Sequence, residues 1–217
     1  MKILLKKYKA ILFDLDGTLI DSLPWHVRAF HEILEERNIR IKREKLQAYM
    51  GKPTQIIFKE LKNKHIIKEN LSKLREDRRY HYFSLVGKRE LLFPNTIQIL
   101  KRLKKEYKIG LVTSSSNLIY KHSTPKELQD LFETTITIDN VKHGKPNSEP
   151  LIKAARQLKL NPKECAYVGD AIFDMQAAKK SGMFAIGITT GYTNAQQLKN
   201  AGANKVIKNL KELIKNR

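Results

Sequence analysis

The chain has 217 residues, enough for one well-buried core and a small second lobe. With 41% hydrophobic and 29% charged residues and no apolar run of membrane-spanning length, it reads as a soluble globular protein, and an intracellular, cytoplasmic location is expected. The single cysteine, Cys165, excludes an internal disulfide or a multi-cysteine metal site, while the formal net charge of +20 favours anionic partners.

Met1 to Lys9 is a short basic lead-in. Ala10-Ile11-Leu12-Phe13 is continuously apolar, the pattern of a strand buried on both faces, and it runs into Asp14-Leu15-Asp16-Gly17-Thr18-Leu19. Extended backbone through Asp16 points Asp14 and Asp16 to one side and Leu15 to the other. Ser22 and Pro24 form a helix start, and Val27, Phe30 and Leu34 follow at helical spacing. Helical patterns continue over Arg43–Met50, Thr54–Leu61 and Lys68–Phe83, broken at Gly51-Lys52-Pro53 and near Asn63. No strand-like alternation intervenes, so residues 21–87 read as an all-helical insertion.

After Gly87 the rhythm changes. Pro94 opens a helix carrying Ile97, Leu100 and Leu103, and Lys108–Thr113 is a short buried strand. Asn117–Phe132 is helical with a break near Pro125, Thr135–Ile138 is strand-like, and Glu149–Leu160 is a helix with Leu151, Ala154, Ala155 and Leu158 inward. Strands at Ala166–Gly169, Phe184–Ile188 and Lys205–Ile207 then alternate with helices at Phe173–Ser181, Ala195–Ala201 and Leu210–Ile214. Such alternation predicts an α/β fold, a Rossmann-like parallel sheet flanked by helices, with ligands at the carboxyl ends of the strands. The catalytic core is expected over 1–20 and 88–217.

Four strand ends or loops carry chemistry. Asp14 and Asp16 side by side repel unless a cation lies between them or one holds a proton. Thr113-Ser114-Ser115-Ser116-Asn117 offers hydroxyls and free N–H groups where a strand meets a helix, donors suited to phosphate oxygens. Lys145, in Gly144-Lys145-Pro146, can bring positive charge to a phosphoryl group and to a carboxylate. Asp170 and Asp174, after the strand Ala166–Gly169, sit near a helix N-terminus, which favours negative charge. Hard cations take oxygen ligands, so Asp170 beside Asp14 and Asp16 makes a candidate Mg2+ site. Taken singly, the acid pair is more often an acidic turn at a strand end, the hydroxyl run a helix cap and Lys145 a surface lysine. Asp170 and Asp174 are as readily ordinary helix capping.

Phe-Asp-Leu-Asp-Gly-Thr-Leu after an N-terminal strand resembles the first signature of the haloacid dehalogenase-like hydrolases, and the other three features follow in that family's order and spacing. The resemblance covers essentially the whole chain, and the helical insertion is similar to the mobile cap of the helical-cap subclass. It implies Asp14 as nucleophile, Asp16 as general acid/base, Thr113 and Ser114 as phosphate-binding, and Lys145 as orienting and neutralising. It further implies Mg2+ on Asp14, the Asp16 carbonyl and Asp170, with Asp174 in support. An aspartate at position 16 points to phosphoryl chemistry rather than dehalogenation. The expected reaction is hydrolysis of a small phosphomonoester through an aspartyl-phosphate.

The start of the cap, Asp21 to Phe30, is similar to that of β-phosphoglucomutases and sugar-phosphate phosphatases, where a histidine at the position of His26 contacts the general acid or substrate. Two departures count against a mutase: Gly51-Lys52-Pro53-Thr54 lacks an arginine after its glycine, and Gly169-Asp170 with Asp174 has the phosphatase form. Phosphoglycolate phosphatases look closer at both places. Nucleic-acid end processing would suit the charge, but a lid over the site should exclude a duplex end. The lysines are spread along the whole chain, and no basic-aromatic recognition motif appears. The expected partner is a small phosphorylated anion, neither nucleic acid nor membrane. The sequence leaves open whether the chain is a monomer or a homodimer.

Overall fold

The computed structural model describes residues 5–63, 67 and 69–214. Six parallel strands form one sheet: β1 (Ala10–Phe13), β2 (Lys108–Val112), β3 (Thr134–Ile136), β4 (Cys165–Gly169), β5 (Phe184–Ile188) and β6 (Lys205–Ile207), in the order β3-β2-β1-β4-β5-β6. The order reverses at β1, the switch point at which open α/β sheets leave a crevice for ligands. The continuity of the β1 run has a direct cause. Ile11 and Phe13 face one apolar cluster with Ile109, Leu111 and Val168, whereas Ala10 and Leu12 face a second with Val112, Tyr167 and Ala185. Both faces are dry, so no polar alternation survives.

Between β1 and β2 lie α1 (Leu23–Glu35), α2 (Arg43–Gln47), α3 (Thr54–Asn63) and α4 (Leu71–Val86), followed by α5 (Thr96–Lys104). The first four gather a third cluster of Val27, Phe30, Ile33, Leu34, Leu46, Ile57, Phe58, Leu61 and Leu74. Ala29 of α1 and Tyr82 and Val86 of α4 join the larger core instead, and the Tyr82 hydroxyl pairs with Ser123 Oγ at 2.8 Å. The insertion thus has its own small core and a packed seam with the sheet. The remaining helices are α6 (Asn117–Ser123), α7 (Lys126–Gln129), α8 (Glu149–Gln157), α9 (Ile172–Ser181) and α10 (Ala195–Asn200).

The differences from expectation lie at element ends. Asn70 caps α4, accepting from Ser72 N at 2.8 Å, so that helix starts at Leu71; the expected start at Lys68 lies outside the described residues. The strand expected to reach Ile138 stops at Ile136. There the Asn140 side chain accepts from Thr137 N at 2.9 Å and closes a 3-10 turn over Ile138–Asn140. The expected last helix is a 3-10 turn, Leu210–Leu213, begun by the Asn209 side chain. In each case a short polar side chain offers the backbone a closer partner than the next helical or strand position does.

Candidate active site

Asp14 follows β1, Thr113 follows β2 and Asp170 follows β4, all at carboxyl ends of neighbouring strands. Lys145 arrives on the loop between β3 and α8, through a cis Lys145–Pro146 bond, and only 2% of it is exposed. Its Nζ donates to Asp14 Oδ1 and to Asp174 Oδ1, both at 2.6 Å, and lies 3.0 Å from the Tyr167 hydroxyl. That hydroxyl is 3.0 Å from Asp174 Oδ1 and 3.1 Å from the Val112 carbonyl. The second Asp174 oxygen accepts from Ala171 N at 2.9 Å, so both oxygens of this fully buried carboxylate are engaged.

Asp14, Asp170 and Asp174 bring carboxylate oxygens within 4.8 Å of one another. Burial, against the pull of Lys145, pushes the Asp14 carboxyl up to about 8, and Asp174 and Asp16 add to the rise. Asp170 is also driven well above the carboxylate range, by burial first and then by the charges of Asp174 and Asp14. Burial disfavours the Lys145 charge, yet Asp14 and Asp174 hold its pKa above the ordinary lysine value. Three buried carboxylates facing one ammonium leave negative charge uncompensated. A hard divalent cation fits such an all-oxygen set.

Asp16 is turned the other way, toward the insertion. Its Oδ1 accepts from Ser22 Oγ at 2.6 Å and lies 2.9 Å from His26 Nε2, and its Oδ2 accepts from Ser115 Oγ at 2.7 Å. Burial alone would raise its pKa, but His26 and the two hydroxyls outweigh it and hold the carboxyl below its usual range. His26 stacks on Tyr82 with ring centroids 4.2 Å apart, and its Nδ1 meets the Arg78 guanidinium. A guanidinium only donates, so Nδ1 carries the lone pair and Nε2–H donates to Asp16. Burial pushes the His26 pKa down, in keeping with that neutral ring. Arg78 is itself buried, and its Nε–H has no acceptor among the described residues.

Thr113 is buried, with Oγ1 accepting from Ser115 N at 3.0 Å, and Ser114 Oγ donates to the Gly51 carbonyl at 2.9 Å, joining the sheet side to the insertion. Ser114, Ser115, Asp14, Asp16, His26, Arg78 and Lys145 all line one inner cavity of about 40 Å3. Two glycines make the crowding possible. Gly17, at φ +79°, has no room for a Cβ, which would lie 2.6 Å from Asp170 Oδ2, and a Cβ at Gly191 would lie 1.8 Å from the same atom. Arg78, Tyr167 and Gly191 carry no signal that the sequence reading used, and Ser115 entered it only as one of a run of hydroxyls after the strand.

The sequence model of the family described as haloacid dehalogenase-like hydrolase matches residues 11–188. A protein named pyrophosphatase PpaX from Bacillus mycoides is 30% identical over 185 residues, which cover 84% of each chain. Among solved structures, a hydrolase from Pseudomonas syringae superposes with a TM-score of 0.84 at 27% identity, over 95% of this chain and 96% of the other. A β-phosphoglucomutase from Clostridium difficile gives 0.79 at 23% identity, over 95% and 93% of the two chains, and shares the fold.

Proposed function

This chain belongs to the haloacid dehalogenase-like hydrolase family, and from that premise we propose that it is a Mg2+-dependent phosphatase of small phosphomonoesters. The observation that carries the reading is the buried Asp14 carboxylate, open to the inner cavity, with Lys145 at 2.6 Å and Asp170 behind it. Burial holds the Asp14 carboxyl up at about 8, so the positive charge of Lys145 and of a bound cation would be needed to keep it ionised and aligned for attack on phosphorus. Lys145 fixes the attacking oxygen and screens the approach of anion to anion. Asp14, Asp170 and the Asp16 main chain would hold Mg2+, supported by Asp174, and the ion would lend electrostatic stabilisation to the phosphoryl group. The Thr113 hydroxyl and the Ser114 main-chain N–H would orient the phosphate oxygens, while the Ser114 and Ser115 hydroxyls are engaged by Gly51 and Asp16.

Asp16 is the proton carrier in this reading. The donors from Ser22, His26 and Ser115 hold it as an anion in the resting site. A dianionic phosphate entering beside it raises its pKa, so it takes up a proton and passes it to the leaving alkoxide. Left ionised, it then accepts a proton from the water that cleaves the aspartyl-phosphate on Asp14. His26 and Arg78 position it. Residues 21–87 act as a cap over the core formed by 1–20 and 88–217, and the narrow inner cavity keeps a nucleic-acid duplex out. No described helix is long and apolar enough to cross a membrane.

The test is phosphate release from a panel of phosphoglycolate, hexose phosphates, glycerol phosphates, nucleoside monophosphates and pyrophosphate, with and without Mg2+, beside Asp14→Asn. Pyrophosphate belongs in the panel because the Bacillus mycoides relative carries that name. Release that requires both Mg2+ and Asp14 is the expected result. No release from any member by the folded, Mg2+-supplied protein would sink the phosphatase reading, and conversion of β-glucose 1-phosphate to the 6-phosphate would replace it with a mutase.

A further inference from the structure

The inner cavity, at about 40 Å3, is small for a phosphoryl group and anything attached to it. It shares Thr54, Arg78 and Ser114 as wall residues with a second, outer cavity of about 300 Å3 between α4 and the loops after β2 and β3. The two cavities adjoin across these shared wall residues, and their chemistry differs. On the insertion side the outer cavity is lined by Arg75, Arg78 and Arg79, which fall on one face of α4 at helical spacing. On the sheet side Leu118, Ile119 and Ile138 give it an apolar floor, and Leu118 is 56% exposed.

Two acids also line this space. The Asp139 carboxylate already accepts from Asn117 N at 2.8 Å, and Glu76 meets Arg79 only at 4.0 Å. The three arginines outnumber them, and Arg78 is common to the walls of both cavities. An apolar floor beneath an arginine-bearing wall fits neither a bare inorganic anion nor a neutral polyol as well as it fits a carbon skeleton that ends in a charge.

We propose that the outer cavity is the leaving-group subsite, selecting organic phosphomonoesters whose alcohol portion bears a second anionic group, carboxylate or phosphate, held by Arg75 and Arg79. The inference rests on the phosphatase reading above and narrows it. The scissile phosphate occupies the inner compartment, the carbon chain passes Thr54 and Ser114, and the distal anion meets the two guanidiniums.

The experiment measures kcat/KM for length-matched pairs: 6-phosphogluconate against glucose 6-phosphate, and fructose 1,6-bisphosphate against fructose 6-phosphate. p-Nitrophenyl phosphate and pyrophosphate run beside them. Wild type is expected to favour the distally charged member of at least one pair by about tenfold or more, the discrimination that one charge-assisted hydrogen bond supplies. Which pair shows it separates carboxylate from phosphate. In the double variant Arg75→Gln/Arg79→Gln the preference should collapse toward unity through KM, and Leu118→Glu, which puts an anion on the floor, should reduce it independently. Hydrolysis of p-nitrophenyl phosphate with no preference in either pair overturns this inference alone, as does a double variant that slows both members of a pair equally. Pyrophosphate as the best substrate also overturns it. Failure to hydrolyse every compound overturns the phosphatase reading and this inference with it.

Discussion

At the scale of single residues, charge compensation organises the site. Lys145 answers two buried carboxylates at once, so Lys145→Met should leave Asp14 and Asp174 facing each other without a cation. Breaking a buried pair on one side costs about 3–5 kcal/mol. The expected outcome is a loss of that order in urea unfolding of the metal-free protein, partly restored by Mg2+, together with loss of phosphate release. Equal stability of variant and wild type would show that the ammonium contributes nothing net.

The same cluster fixes a pH dependence. Without metal, the folded-state pKa of Asp14 is about 8, against roughly 4 for an unfolded aspartate. Between those values the native state holds a proton that the unfolded chain has released, so metal-free stability should fall as pH rises from about 4 to about 8. Mg2+ competes with that proton, so the rise in Tm on adding Mg2+ should be larger at pH 8 than at pH 5. A Tm increment that does not change with pH contradicts this account. Asp16 has the opposite sign, because its pKa is depressed. Its contribution is present above the ordinary aspartate range and is lost only as the solution becomes strongly acidic.

At the scale of elements, the sequence was legible wherever local chemistry decides the outcome. The unbroken apolar run of β1, the break at Pro125 between α6 and α7, and the helices of the insertion are written in spacing and in proline placement. So were the strand ends that carry Asp14, Thr113 and Asp170. What escaped was set by partners far along the chain. Arg78 looks like any other basic residue of a highly charged helix until the fold puts it against His26, 52 positions earlier. Tyr167 reads as one more strand residue, and only assembly of β1, β2 and β4 turns its hydroxyl toward Lys145. Asp14 and Asp16 were expected on one side of an extended strand, but β1 ends at Phe13 and the two carboxylates enter different hydrogen-bond systems, Asp14 with Lys145 and Asp16 with His26 of α1.

The segment after β5 supplies a sharper test of how elements support the site. Gly191 passes so close to Asp170 that any side chain must displace it. Gly191→Ala should lower Mg2+ affinity by about 10–100-fold, the usual effect of disturbing a group that supports a metal ligand. Isothermal titration with Mg2+ reads this directly, and unchanged affinity would mean that Asp170 is not a ligand.

At the scale of the whole molecule, the charge of +20 acts at a distance. It should raise the encounter rate with dianionic substrates, an effect that salt removes. We expect kcat/KM for such a substrate to fall several-fold between low and high ionic strength with kcat nearly constant. A flat salt profile would assign the lysines to solvation alone. The insertion has its own small apolar cluster and a packed seam to the sheet.

The strand order has a consequence for how the protein is made. Strand β1 emerges early in synthesis, yet one of its two neighbours is β4, which begins at Cys165. Until residue 165 has left the ribosome, this apolar strand has one edge unpaired and its carboxylates lack Asp170 and Asp174. Long-range parallel pairing is slow, and an open edge invites aggregation. Nascent chains arrested before residue 165 should therefore be captured by chaperones and remain protease-sensitive, whereas chains released past β5 should become resistant in one step. Resistance acquired gradually from the first strand onward would show that the amino-terminal half, insertion included, folds on its own.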